Sequence, residues 1–561
     1  MEFAEFIKSP KIDKVILYRP FHDEIEGTVC ITGHHLILSS RKDKNEELWL
    51  LHRMVDCVER KMGQTGGILI LKCKDFRCIQ LEISGLEEAT NVANSIEWLS
   101  NLANVKFYYP FFHRALFNML EDGWTAFLPE TEFSKISMNT EEWRITHVNK
   151  NYSVCPTYPE ILVVPKKIDD ETLISVANFR YLSRFPVLSY FHKGSKASIL
   201  RSSQPMVGTN MRRCKEDENL MNAILVAGKR GYIIDTRAQN FAQLARTKGG
   251  GFEPEIHYPL WRRIHKPIDR HSTLLNSLSK LIEACNDTSS SVDKWLSRLD
   301  SSGWLNHVKD ILTCACLVAQ CIDQEGSSVL VHGAEGTDAT LQICSLAQVI
   351  LDPDCRTVRG FEALIEREWL QAGHPFSTRC QHGAYAPTNV RTKDQSPTFL
   401  MFLDCVYQIH QQFPCSFEFN EQFLIMLFEH SYASQFGTFL GDCDKDRKNL
   451  KLSEKTVSLW SHINQPEVIS RYLNPMYEPN NKVIWPTVAP QSLILWPTMY
   501  LRWVCDLNPQ IEAWQTIAEI KEKDKELKSK AIKLSGQLER EAIRAGVMSP
   551  PIPDDVLSNT D

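Results

Sequence analysis

Ser328-Val329-Leu330-Val331-His332-Gly333-Ala334-Glu335-Gly336-Thr337-Asp338-Ala339-Thr340 reads as an apolar strand, a short loop and the start of a helix. Such a loop aims several backbone N–H groups at one point, and that point favours an anion. On either side of it, strand-like segments (158–165, 231–235, 327–331) alternate with helical ones (274–284, 304–321, 341–350). This alternation predicts an α/β sheet flanked by helices over about 115–505.

A cysteine-dependent phosphatase adds two side chains to a loop of this shape. A thiolate at its start attacks phosphorus, and the N–H groups lower that thiol's pKa. An arginine six residues on makes bidentate bonds to the phosphoryl oxygens. Here the first position is Gly333 and the second is Ala339. Glu335 and Asp338 bring negative charge with nothing in the loop to offset it, so phosphate is expected to meet repulsion. Cys314, Cys316 and Cys344 lie on the neighbouring helical segments and read as core thiols. From the loop alone, an unrelated α/β turn is the more usual reading.

The two ends differ in kind. Residues 1–105 hold β-like runs at 14–18, 27–32, 35–39, 47–51, 55–58, 67–72 and 77–83, separated by turn residues such as Gly33, Gly63 and Gly66-Gly67. Residues 86–102 then have helical periodicity, with Ala89, Val92, Ala93, Ile96 and Leu99 on one side. About seven strands followed by one helix is the order of a pleckstrin-homology-like barrel, with a generic β-barrel as the other reading. Over 511–546, Ala513, Ile517, Ile520, Asp524, Leu527, Ala531, Leu534, Leu538, Glu541 and Ala545 recur in steps of four and three. That spacing predicts a coiled coil whose polar seam positions, Asp524 and Glu541, help to choose the partner. Ile517, Ile520, Leu527, Leu534 and Leu538 are the candidate partner-binding residues. The other reading is a lone amphipathic helix docked on its own domain. The tail, 547–561, reads as disordered.

Composition narrows the function classes. A net charge of −6 and a pI near 6.3 do not fit a nucleic-acid-binding chain. The first residues lack the basic-then-apolar order of a signal peptide, and the most apolar run, 311–321, is too short to span a bilayer and reads as a buried core helix. The 17 cysteines fit reduced cytosolic thiols and show no paired zinc spacing, so neither a metal nor a cofactor is expected. Arg41, Lys42 and Lys44, or Lys193 and Lys196, are candidate contacts for phosphoinositide headgroups, a solvated surface turn being their more usual meaning.

Taken together, the chain resembles the myotubularin-related phosphoinositide phosphatases over essentially its whole length. The matching stretches include Trp143-Arg144-Ile145, Phe179-Arg180, Arg184-Phe185-Pro186-Val187-Leu188-Ser189-Tyr190, Arg201-Ser202-Ser203-Gln204-Pro205 and Asp235-Thr236-Arg237. Gly249-Gly250-Gly251-Phe252-Glu253, Phe417-Glu418-Phe419-Asn420-Glu421 and Phe436-Gly437-Thr438-Phe439-Leu440 continue the series. The family's active loop reads His-Cys-Ser-Asp-Gly-Trp-Asp-Arg-Thr. Against it His332, Gly336, Asp338 and Thr340 match. Gly333 stands for the nucleophilic cysteine, Ala334 for serine, Glu335 for the first aspartate, Thr337 for tryptophan and Ala339 for the arginine. Asp338 matches the aspartate that is a candidate general acid in active relatives, and it could still hold a proton.

The resemblance implies a PH-GRAM domain over 1–105, an inactive phosphatase-like domain over 115–505 and a C-terminal coiled coil. It looks closest to an inactive member, a pseudophosphatase that regulates active relatives acting on phosphatidylinositol 3-phosphate and the 3,5-bisphosphate. The implied partners are the active myotubularin-related proteins 6, 7 and 8, held through the coiled coil, with homodimers and phosphoinositide membranes as further possibilities. A phosphoinositide-binding adaptor, or a weak residual lipid phosphatase, is the alternative. The implied location is the cytoplasm, at the surface of endosomal or endoplasmic-reticulum membranes.

Overall fold

The computed structural model describes residues 3–40, 47–137, 141–506 and 508–547. Arg41, Lys42 and Lys44 lie outside the described residues, as does nearly all of the tail 547–561. The chain divides into two compact units, Met1–Cys505 and Asp506–Asp561.

The first unit opens with seven strands: β1 (Lys11–Tyr18), β2 (Ile25–Ile31), β3 (His35–Ser40), β4 (Glu47–Leu51), β5 (Val55–Met62), β6 (Gly67–Cys73) and β7 (Cys78–Ile83). They form one antiparallel sheet in the order β4-β3-β2-β1-β7-β6-β5. Alternate residues such as Val15, Leu17, Val29, Ile31, Leu69 and Leu71 point into one core. Helix α1 (Leu86–Ser100) covers that core with Ala89, Val92, Ala93, Ile96 and Leu99, the face its periodicity predicts. The end strands β4 and β5 are joined by a 3-10 turn at His52–Met54 and are not paired with each other, so the expected barrel is an open, curved sheet.

A two-stranded ribbon, β8 (Trp143–Thr146) and β9 (Leu162–Pro165), precedes the central sheet. That sheet comprises β10 (Val187–Phe191), β11 (Ser198–Ser202), β12 (Gly231–Asp235), β13 (Trp261–His265) and β14 (Val329–His332), in the order β10-β11-β14-β12-β13. Only β10 runs antiparallel. The middle strand β14 is buried along its whole length, which is why its sequence is continuously apolar rather than alternating.

Helices α2 (Trp304–Asp323), α3 (Ala339–Leu351) and α4 (Thr398–Gln412) build the largest core around this sheet. α2 corrects one expectation, because it is long and apolar enough to cross a bilayer. Its buried face, from Trp304 and Val308 to Ile322, belongs to the protein core, and Trp304 Nε1 donates to buried Asp404 at 2.7 Å.

In the second unit, α5 (Asn508–Arg544) is a single helix of 37 residues, about 55 Å long at 1.5 Å per residue. Ile517, Ile520, Leu527, Leu534 and Leu538 are all exposed on it. The polar seam positions are satisfied locally: Lys528 pairs with Asp524 at 2.8 Å and Arg544 with Glu541 at 3.0 Å.

Candidate functional site

The loop 333–338 emerges at the C-terminal end of β14, where open α/β sheets bind their ligands. Register aligns Ser202 of β11 and Asp235 of β12 with His332 of β14, so 203–204 and 236–237 flank the loop. Three contacts shape it. Gln204 N–H donates to Ala334 O at 3.1 Å and Thr236 N–H donates to His332 O at 2.9 Å. The Arg184 guanidinium donates to Gly336 O at 3.0 Å. Arg237 is fixed on Asp235 by paired bonds of 2.8 and 2.7 Å and reaches Gln204 Oε1.

Gly336 is required here. Its φ is +77°, and an added Cβ would lie 2.2 Å from Ser202 O, a backbone atom that cannot swing away. Gly336→Ala is expected to cost about 3 kcal/mol, read as a lower denaturant midpoint at unchanged slope.

No N–H of 333–338 donates to an acceptor among the described residues. These N–H groups are therefore left free for an external acceptor, as the strand–loop–helix pattern requires of an anion-binding loop. The Thr340 hydroxyl, buried at the start of α3, also lacks a partner and lies 3.8 Å from the point a Gly333 Cβ would occupy. That same Cβ would fall 2.7 Å from Thr236 Oγ1.

The loop's charges are balanced from outside it, which corrects the expected repulsion. Arg270 donates to Glu335 Oε2 at 2.5 Å. Arg379, from the short helix Phe376–Arg379, grips Asp338 with bonds of 2.8 and 2.9 Å. His271 Nε2 approaches the same carboxylate at 3.4 Å. Burial opposes ionisation of Asp338, but the bonds from Arg379 and His271 and the Arg379 charge hold its pKa well below the usual carboxylate range. Asp338 is thus ionised at neutral pH, contrary to the expectation that it could keep a proton. Beside it, burial keeps His374 neutral, with a pKa down to about 4, and its Nδ1 meets Thr337 O at 2.8 Å.

A second network lies beneath His332. Its Nε2 meets Glu253 Oε2 at 3.1 Å, and Arg180 joins Glu253 to Asp217 through bonds of 2.7 Å. Burial would raise the Glu253 pKa, but His332 and Arg180 outweigh it and hold it low. His332 is therefore a buried support of the loop rather than a group facing solvent.

Arg379→Met takes from the buried Asp338 carboxylate its bidentate cation and leaves it the longer contact with His271, a loss of about 3 kcal/mol. Adding Asp338→Asn is expected to recover much of it in a double-mutant cycle. The pH sign follows from the depressed pKa. The pair's contribution is complete above the unfolded aspartate value of about 3.9 and fades as pH falls through and below it. The wild-type advantage over the double variant should therefore shrink on acidification.

The thiols lie in the core as expected. Cys314 and Cys344 are fully buried, and burial pushes Cys314 up to about 12, Cys316 up to about 11 and Cys344 well above its ordinary value. Lys193 is exposed in the turn joining β10 and β11, as is Lys196. No cluster of three or more metal-ligating side chains occurs among the described residues.

Residues 108–448 match the myotubularin-like phosphatase domain, and residues 11–100 match the GRAM domain described for MTMR6-9. The chain belongs to the myotubularin-related family. It is 59% identical to human myotubularin-related protein 9 across 98% of this chain and 100% of that protein. Identity to the Caenorhabditis elegans protein of the same name is 44%, over 98% and 100% of the two chains. A mouse relative, phosphatidylinositol-3,5-bisphosphate 3-phosphatase MTMR6, is 36% identical over 93% of this chain and 85% of its own. Within this family member, the residues that sequence reading did not assign to the site are Arg270, His271, His374 and Arg379. Each is distant in the chain and reaches the loop only through the fold.

Proposed function

We propose that this myotubularin-related chain is a catalytically silent subunit that pairs through α5 with active family members and supports their work on phosphatidylinositol 3-phosphate and 3,5-bisphosphate. The observation that carries the reading is the loop itself. Its N–H groups have no acceptor among the described residues, while Gly333 offers no atom to attack phosphorus and Ala339 offers no guanidinium to hold it. The exposed stripe Ile517, Ile520, Leu527, Leu534 and Leu538 supports pairing, because a helix with such a stripe is stable only when a partner covers it. Relatives such as the mouse phosphatase MTMR6 make active myotubularin-related proteins 6, 7 and 8 the fitting partners. Work at the cytoplasmic face of endosomal or reticular membranes follows from those substrates. A second reading, a phosphoinositide-binding adaptor, draws on the unpartnered loop N–H groups.

The test measures phosphate release from water-soluble 3-phosphoinositides by this chain alone, by an active relative alone, and by the two together. The proposal expects no release from this chain and a several-fold gain for the mixture. Release by the pure chain at ordinary enzyme rates would sink it.

A further inference from the structure

Beyond their C-terminal ends, β11 and β12 run into two segments that pack together beside the loop 333–338. Gly208 N–H donates to Gly250 O at 2.8 Å, and Gly251 N–H donates to Gln204 Oε1 at 3.2 Å. A Cβ added at Gly251 would lie 3.3 Å from Val207 Cβ and 3.2 Å from Arg246 Cγ, so the two turns are in contact. Gln204 is also the residue whose N–H holds Ala334 O.

These segments show solvent an apolar surface. The short helix Gln239–Ala245 buries Ala242 and leaves Phe241 and Leu244 63% and 57% exposed. Residues three apart share one face of a helix, so the two side chains are neighbours. The chain that follows is fixed: Gly250 N–H donates to Ala245 O at 2.9 Å, and the Arg246 guanidinium lies 4.2 Å from the centre of the Phe252 ring. Met211, on the adjoining segment, is exposed as well and has a φ of +52°. Bulky apolar side chains held outward by a rigid frame mark a contact surface.

The charge around them is one-sided. Residues 209–216 and 239–248 carry Arg212, Arg213, Lys215, Arg246 and Lys248 against Glu216 alone, in a chain whose net charge is −6. Arg213 is taken by Glu218 at 2.8 Å. Arg212, Lys215 and Lys248 are exposed and have no ion-pair partner among the described residues.

We propose that Phe241, Leu244 and Met211, with Arg212, Lys215 and Lys248 beside them, form a face that docks on an anionic lipid bilayer. The apolar side chains enter the boundary between headgroups and acyl chains, and the cations stay at the level of the lipid phosphates. A protein partner would have to supply a pocket and acids at fixed places. A fluid anionic surface meets projecting apolar groups and scattered cations without any such match. Docking in this way brings the end of the central sheet that carries 333–338 to the membrane. The inference deepens the membrane location proposed above and rests on it, but not on the silence of the loop.

The test floats the full chain with vesicles of phosphatidylcholine alone or of phosphatidylcholine with about 30% phosphatidylserine. The chain is expected to float with the anionic vesicles, far less with the neutral ones, and less as salt is raised. Phe241→Ser with Leu244→Ser should lower partitioning at least about tenfold. Thermal unfolding of that variant should match the parent, because both side chains are exposed. Arg212→Ala with Lys248→Ala should lower partitioning by about tenfold. Lys193→Ala with Lys196→Ala, in the turn at the opposite end of β11, should leave it unchanged. Flotation of the Phe241 and Leu244 variant at the parent's level would overturn this face and leave the membrane location standing. Loss of co-purification with an active relative in that same floating variant would make the patch a protein contact instead. A parent chain that floats with neither vesicle would overturn the face and the membrane location together.

Discussion

A chain carrying Leu527→Glu and Leu534→Glu is expected to lose the active partner proposed for it while its first unit stays folded. Both side chains sit on one stripe of α5, two turns apart, and each is 63% exposed. Neither is part of the core clusters of the first unit. The side chains of those clusters are all retained in the variant. In a paired coil the same two positions face a partner helix, and each buried leucine contributes about 2 kcal/mol. Losing both and burying two carboxylates costs at least about 4 kcal/mol, roughly a thousandfold in affinity. Co-purification with a co-expressed active relative should fall to background, and thermal unfolding of the first unit should be unchanged. Undiminished co-purification would remove the stripe from the pairing surface. Loss of the folded first unit would instead show that α5 stabilises its own chain.

Local physics made much of this fold legible. β12 falls at 231–235 as read, because Gly231 to Asp235 is a short, nearly continuous apolar run bounded by turn residues. The strands of the N-terminal sheet follow their alternation, and α1 follows its buried face. α3 starts at Ala339, two residues before the helical run read at 341–350, since Thr340 is itself a favoured cap residue and Asp338 makes no side-chain cap bond. The site was only half legible. Gly333, Glu335, Gly336, Asp338 and Ala339 lie within seven residues, and their backbone geometry follows from one strand, one loop and one helix. Their electrostatics do not. Arg379 is 41 residues from Asp338 and Arg270 is 65 from Glu335, and no spacing rule links such pairs. The expected repulsion in the loop came from counting its own charges, whereas the fold supplies the balancing ones. The family resemblance singles out Arg180 and Glu253 without a role, and the structure gives them one as the support of His332.

Gly333→Cys with Ala339→Arg is expected to restore less than about 1% of an active relative's turnover. The thiol is crowded but can be seated: its Cβ falls 2.7 Å from Thr236 Oγ1, and a χ1 turn of that buried threonine relieves the contact. The unpartnered N–H groups of 333–338 would then lower its pKa, so nucleophilicity is not what limits the variant. The arginine is harder to seat. Ala339 is only 7% exposed and packs in the main core, so a guanidinium side chain must displace neighbours at the start of α3. Proton delivery to the leaving oxygen is the larger obstacle. Asp338 is ionised by its bidentate bond with Arg379 and its contact with His271, and a carboxylate held well below its ordinary pKa has almost no protonated form at neutral pH. General acid catalysis contributes about 10²- to 10⁴-fold, so its absence alone accounts for the shortfall. The measurement is phosphate release from soluble phosphatidylinositol 3-phosphate by the double variant beside an active relative, with an iodoacetamide rate to confirm a reactive thiolate at 333. A reactive thiolate with little turnover is the expected pair of results. Turnover within tenfold of the active relative would show that Asp338 is free to donate a proton after all, and that two side chains are the whole difference between a silent and a working loop.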